Sequence, residues 1–181
     1  MLMKRILFLC WTTVLAVALT AAGATRPSTA DQREQDRITR EVHHELVMIP
    51  QLTIFDNLAY KVDGGTVTLM GQVRDPIIKD EAAKAVKGIE GVEQVVNNIE
   101  ILPPSTFDDR TRRQVARALF ADDRLFRYSM GALPPIHIIV KGGHVTLEGV
   151  VDNQVDKDEA GLRANGVPGV FSVQNNLRIA K

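Results

Sequence analysis

Residues 60–102 read YKVDGGTVTLMGQVRDPIIKDEAAKAVKGIEGVEQVVNNIEIL, and residues 138–180 read IIVKGGHVTLEGVVDNQVDKDEAGLRANGVPGVFSVQNNLRIA. Laid over each other without a gap, about 19 of roughly 43 positions are identical, at a constant offset of about 78. The matches include the positions where backbone geometry is most demanding: Gly64/Gly142, Gly65/Gly143, Gly71/Gly149, Gly88/Gly166 and Gly91/Gly169. The chain is a duplicated domain, and its 181 residues divide into two units of about 70 each. Units of that size sit near the lower limit for a self-sufficient core, so each is expected to be modestly stable or to gain by packing on its sister.

Within each copy the pattern predicts an α-β-β-α-β order. Ile38, Val42, Leu46 and Ile49 recur at three- and four-residue steps and define the buried face of a first helix, limited by Pro50. Leu58, Tyr60 and Val62 alternate as a strand, Asp63-Gly64-Gly65 makes a tight turn, and Val67, Leu69 and Val73 continue as a second strand. Gly71 inside that strand calls for a close approach, and a helix crossing over it is the simplest one. Asp75-Pro76 then caps and starts a helix that buries Ile78, Ala82, Ala85/Val86 and Ile89 and stops at Gly88. Gly91-Val92 leads into a last strand, Val95 to Leu102, which must return parallel to the second through a right-handed crossover. The predicted fold class is therefore α+β: two tandem copies, each a three-stranded mixed sheet covered by two helices.

The second copy repeats this with a helix from about Asp109 to Ala121, aligned on the first at an offset of about 73, and Asn153 in the cap position of Asp75. About five extra residues therefore fall in the connection 125–136. Gly161 replaces Ala83 inside the last helix, a substitution that costs about 1 kcal/mol on helix propensity alone. Asn97 and Asn175 fall in the inward row of the last strands and need hydrogen-bond partners, expected in the turns near Gly91 and Gly169, with a ligand contact as the alternative.

The N-terminus reads as an export signal: Lys4 and Arg5, an apolar run from Ile6 to Leu19, then Ala22-Gly23-Ala24 as a cleavage site after Ala24. The run is too short for a comfortable membrane span of about 20 residues. The expected divisions are residues 1–24 signal peptide, 25–32 flexible lead-in, 33–102 first domain, 103–108 linker and 109–181 second domain. Cys10, the only cysteine, lies in the signal, so the mature chain has no disulfide and no thiol ligand. Export without disulfides points to a bacterial periplasm.

The motif V-x-L-x-G-x-V, followed by a K-D-E-A helix and G-V-x-x-V-x-N, occurs at Val67–Val73 with Gly91-Val92 and Asn97, and at Val145–Val151 with Gly169-Val170 and Asn175. In this pattern the chain resembles the BON (bacterial OsmY and nodulation) domain family over about residues 33–181. The resemblance implies a non-enzymatic envelope module that binds phospholipid or supports protein contacts at membranes, with Gly65, Gly71, Gly91, Gly143, Gly149 and Gly169 as structural glycines. It supplies no catalytic residue.

Nothing in the residues contradicts that. No nucleophile elbow or phosphate loop is present, so neither a catalytic residue nor a cofactor is expected. His43 and His44 are adjacent on a helix and point about 100° apart, which argues against a shared metal site. His137 and His144 read as surface residues. The formal charge is zero, and about −2 once Lys4 and Arg5 are removed, which does not suggest nucleic acid as a partner. Charge is uneven, however. Residues 31–48 carry three basic and five acidic groups, whereas residues 109–127 carry six arginines against three aspartates. Those arginines stand beside Phe126, Tyr128, Met130 and Leu133, a combination suited to an anionic lipid surface. The expected lipid-binding set is Arg112, Arg113, Arg117, Arg127, Tyr128 and Met130. The partner is thus an anionic phospholipid membrane surface; the alternative is an envelope protein recognised through a sheet face or edge strand.

Overall fold

The computed structural model describes residues 28–131 and 133–180. The expected signal peptide and residues 25–27 of the lead-in lie outside the described residues. The first domain comprises α1 (Thr29–Val47), β1 (Asn57–Asp63), β2 (Thr66–Val73), α2 (Pro76–Lys87), β3 (Gln94–Asn97) and β4 (Glu100–Ile101). The second repeats it with α3 (Thr106–Phe120), β5 (Ile136–Lys141), β6 (His144–Val151), α4 (Gln154–Asn165), β7 (Ser172–Asn175) and β8 (Arg178–Ile179), plus a 3-10 turn at Phe126–Ser129.

Both opening helices start earlier than expected. Ser28 caps α1 and exchanges hydrogen bonds with Asp31, a capping box that carries the helix back into the predicted lead-in. Ser105 likewise accepts from the Asp108 amide, so α3 begins inside the predicted linker and leaves Pro103-Pro104-Ser105 as the connection. Asp75 and Asn153 cap α2 and α4 as expected, accepting from the amides of Ile77 and Asp156.

In each domain the strands pair as foreseen: β1 antiparallel to β2, β3 parallel to β2, with β5, β6 and β7 repeating the arrangement. The third strand is interrupted, and its second half (β4, β8) rejoins the central strand two residues later. The asparagines cause the break. Asn97 Nδ2 donates to the Lys79 carbonyl on α2 (2.9 Å), while its Oδ1 accepts from the Ile99 amide (3.2 Å), turning Ile99 into the core. Asn175 does the same with Lys157 and Leu177 at 2.7 and 3.3 Å. Their partners are a helix carbonyl and the strand itself, not the glycine turns. Gly161 also acquires a reason: a Cβ there would sit 2.9 Å from Asn175 Nδ2.

Gly71 and Gly149 are needed, but not for a crossing helix. Their φ angles are +110° and +121°. A Cβ would lie 2.1 Å from the Asn57 carbonyl oxygen and 1.9 Å from that of Pro135, on the neighbouring strand side. The close approach is backbone to backbone within the sheet.

Two cores result. Ile38, Val42, Leu46, Leu69, Ile78 and Val86 centre the first; Val115, Leu119, Leu125, Ile138, Leu147 and Ala160 centre the second. The domains touch through the loop after α1. The Ile138 amide donates to the Ile54 carbonyl (2.7 Å), and Ile54 and Phe55 pack against the second core. Asp56, buried, holds this loop by accepting from the Thr53 amide and hydroxyl and from the Arg74 amide. His137 is not a surface residue: it is half-buried and its Nδ1–H donates to the Asp56 carbonyl at 2.7 Å. Burial pushes its pKa below the ordinary value, so the ring is held neutral.

Candidate functional site

The six residues expected to meet a membrane do not form one surface. Arg112 is buried: Nη1 pairs with Asp109 at 2.6 Å and Nη2 donates to the Val140 carbonyl at 2.6 Å. It stands three residues before buried Val115 and seven before Leu119, so helical geometry turns it inward. Its role is to close the edge of β5, as Gln35 does in the first domain by donating to the Val62 carbonyl. Tyr128 is buried as well. Its hydroxyl donates to Asp156 Oδ2 (2.6 Å) and accepts from the Asp152 amide (2.8 Å), and desolvation together with that carboxylate raises the phenol pKa. Arg127 stacks over the Tyr128 ring at 4.9 Å and pairs with Asp156 and Asp152.

The enlarged connection is thus a clasp fastened to its own domain. Asp156 stands where the first domain has buried Ile78, and it is itself fully buried. The extra residues bring Leu125, Arg127 and Tyr128 over it, and Asn153 Nδ2 adds a third donor at 3.0 Å. Of the large apolar side chains described in this clasp, Phe126 and Met130 project from it.

Arg113 and Arg117 remain exposed, and Arg110 joins them at a helical step of three and four residues. Among the described residues none of the three makes an ion pair. The duplication explains why. In the first domain, Arg37, the counterpart of Arg110, is clamped by Glu34 (2.6 Å) and Glu41 (2.8 Å). The counterparts of Glu34, Glu41 and Glu45 in the second domain are Phe107, Gln114 and Ala118. Three carboxylates are gone and the arginine stripe is left uncompensated.

A second exchange lies beside the first. Glu93, at the start of β3, corresponds to Phe171. Phe171 is 70% exposed and stacks on Phe107, itself 44% exposed, with ring centroids 6.0 Å apart; His144 packs edge-on to Phe171 at 6.0 Å. Asp108 anchors this corner from beneath, accepting from the Gly142 and Gly143 amides at 2.9 and 2.8 Å. Phe107 and Phe171 were not among the expected residues, although the alignment of the two copies pairs both with glutamate.

The α3–α4 groove, about 1010 Å³, is lined by Arg117, Ala118, Leu162 and Val167, with Arg163 bridging Asp122 and Glu159. Its counterpart between α1 and α2 is smaller, about 570 Å³, and carries Glu41, Glu45, Glu81 and Glu90. Among the described residues no cluster of three or more His, Cys, Asp or Glu side chains is placed to hold a metal ion. No described helix is long and apolar enough to cross a membrane.

The family model for the BON domain matches twice, over residues 34–103 and 108–181. The chain belongs to the BON-domain family. It is 30% identical to osmotically-inducible protein Y of Escherichia coli (strain K12) over 198 aligned residues, covering 92% of this chain and 94% of that protein. It is 28% identical to the outer membrane lipoprotein DolP of Haemophilus influenzae, covering 91% and 83%. Among solved structures it resembles the C-terminal domain of CdsD, a structural protein of the type III secretion system of Chlamydia trachomatis. That match has 13% identity and a TM-score of 0.25 over 76% of this chain and 96% of that one. At that level of superposition it adds nothing to the family assignment.

Proposed function

We propose that this is an exported, non-enzymatic protein of the cell envelope, whose second BON domain binds anionic phospholipid surfaces with the exposed side of α3. Arg110, Arg113 and Arg117 meet headgroup phosphates, while Phe107 and Phe171 enter the boundary between headgroups and acyl chains. The observation that carries the reading is the paired exchange of Glu34 and Glu93 for Phe107 and Phe171, next to a stripe that has lost its carboxylates. Aromatic rings favour the membrane interface, and unpaired arginines add about 1 kcal/mol each near an anionic surface. Met130 and Phe126 follow the far end of a helix of 15 residues, about 22 Å long, and take no part in this contact. The names of the two relatives, one an outer membrane lipoprotein and one osmotically inducible, support an envelope setting and a role in envelope or osmotic stress.

The test is sedimentation of the chain lacking residues 1–24 with vesicles of phosphatidylcholine alone and of phosphatidylcholine with phosphatidylglycerol. Binding is expected only to the anionic vesicles and weakens with salt. The Arg110→Glu/Arg113→Glu/Arg117→Glu variant should lose about 3 kcal/mol, or roughly a hundredfold in affinity. Equal binding to neutral vesicles, or an unchanged triple variant, overturns the proposal.

A further inference from the structure

The two edge strands β1 and β5 are equivalent, yet at the paired positions Tyr60 and Ile138 only the second is occupied. Tyr60 faces Leu69 across its ladder as Ile138 faces Leu147 across the other. In an antiparallel ladder, alternate residues turn both backbone polar groups to the same side. The Ile138 amide points away from β6, because it donates to the Ile54 carbonyl at 2.7 Å. By the same parity the Tyr60 amide points away from β2, and among the described residues nothing accepts from it.

Where Ile54 would stand beside Tyr60 there is instead a cavity of about 430 Å³ between the domains. Its apolar walls are Val47 from α1, Leu52, Leu58, and the segment Leu133-Pro134-Pro135 opposite the strand, and His43 and His137 line it as well. No Asp, Glu, Lys or Arg lines it. The opposite wall cannot zip onto β1 itself, because two consecutive prolines offer no N–H. The cleft shares His137 with the junction at which Asp56 accepts its hydrogen bond and Ile54 and Phe55 lie on the second domain.

We infer that this cleft binds an extended, uncharged apolar peptide segment, which adds to the β1 edge at Tyr60 in the way Ile54 adds to β5 at Ile138. An acyl chain would fill the same apolar walls but leave the Tyr60 amide without a partner, at the expense of a buried polar group. A peptide satisfies the edge and fills the walls together. This ligand, and the β1 edge that holds it, are separate from the lipid surface on α3.

The experiment uses the chain lacking residues 1–24, labelled with 15N, titrated with an acetylated, amidated peptide copying residues 51–55, the uncharged segment that carries Ile54. Amide shifts are expected at Leu58, Tyr60, Val47 and Leu133, with slower hydrogen exchange at Tyr60. Val47→Glu, and separately Leu133→Glu, should weaken binding about tenfold or more by placing a charge in the cleft. The same peptide N-methylated at alternate residues should not bind, while anionic-vesicle binding by both variants stays at the wild-type level. The inference is overturned by shifts confined to β5, by variants that bind normally, by an N-methylated peptide that binds equally, or by no localised shifts. Decanoate reproducing the shifts without protecting the Tyr60 amide would likewise overturn it in favour of an acyl ligand.

Discussion

The first domain holds its α2 helix down with Ile78 and coats its α1 helix with carboxylates; the second holds α4 with a buried aspartate and coats α3 with unpaired arginines and stacked phenylalanines. Beneath both lies one backbone: the same registers, the same broken third strand, the same positive-φ glycine in the central strand. Duplication leaves the backbone requirements intact in both copies and frees the surface of one copy to change. The glutamates of α1 neutralise their own arginine, whereas the second domain has replaced such internal pairing with groups that face outward.

The backbone half of that comparison is broken or upheld by Gly71→Ala and Gly149→Ala. Each places a Cβ about 2 Å from a strand carbonyl at a φ that side chains avoid, so each should cost about 3 kcal/mol or more in urea unfolding. A cheap substitution at one and not the other would mean the two sheets are not built alike.

The next effect separates the two ways of seating a helix. Ile78→Ala opens a cavity in the first core and should cost about 3 kcal/mol. Asp156→Ala removes the acceptor of Tyr128 and Arg127 and should cost about 2 kcal/mol, since the arginine is half-exposed and rehydrates. Asp156→Leu combined with Tyr128→Phe should recover most of that loss, because an apolar pair then replaces the clasp and the unpartnered Asp156 Oδ1 disappears. A double variant less stable than Asp156→Ala would show that the polar clasp is essential to the packing.

The surface half is sharpened by exchanging side chains between copies. Phe107→Glu/Phe171→Glu should weaken anionic-vesicle binding about tenfold, a loss of about 1.4 kcal/mol, without changing the unfolding midpoint by more than about 0.5 kcal/mol equivalent. Glu34→Phe/Glu93→Phe in the first domain should raise it, measured by the same sedimentation.

Much of this was legible in the sequence because the chain states its fold twice. Helix order, strand pairing and caps follow from periodicity and from glycine, proline and aspartate chemistry. The early helix starts were also legible, in Ser28-x-x-Asp31 and Ser105-x-x-Asp108, but flanking polar composition resembles a linker. Arg112 and Arg113 are adjacent, and the phase that buries Val115 and Leu119 also buries the first and exposes the second. Charge counting over a window loses that phase. The strand glycine was recognised for the wrong neighbour, since a crossing helix and a kinked strand both exclude Cβ and only φ separates them. The clasp on Asp156 was beyond reach, because it depends on where an insertion folds back.

The smallest expected effect concerns the contact that joins the halves. His137 has no counterpart in the first domain, where Ala59 stands, and its Nδ1–H donates to the Asp56 carbonyl across the junction. Burial lowers its pKa from the ordinary 6.5, while the Asp56 contact and the charge of Glu148 oppose that shift without cancelling it. A depressed folded value means the unfolded or undocked chain binds more protons in the window between the two values. The stabilisation is therefore fully present above about pH 6.5 and declines as the pH falls below it, until the folded value is passed. Hydrogen exchange at the Ile138 amide, whose bond to Ile54 spans the same junction, should quicken beyond the intrinsic rate change between about pH 7.5 and 5. His137→Phe should flatten that dependence. An Ile138 amide equally protected across the range would show that the docking of the domains does not depend on the neutral ring.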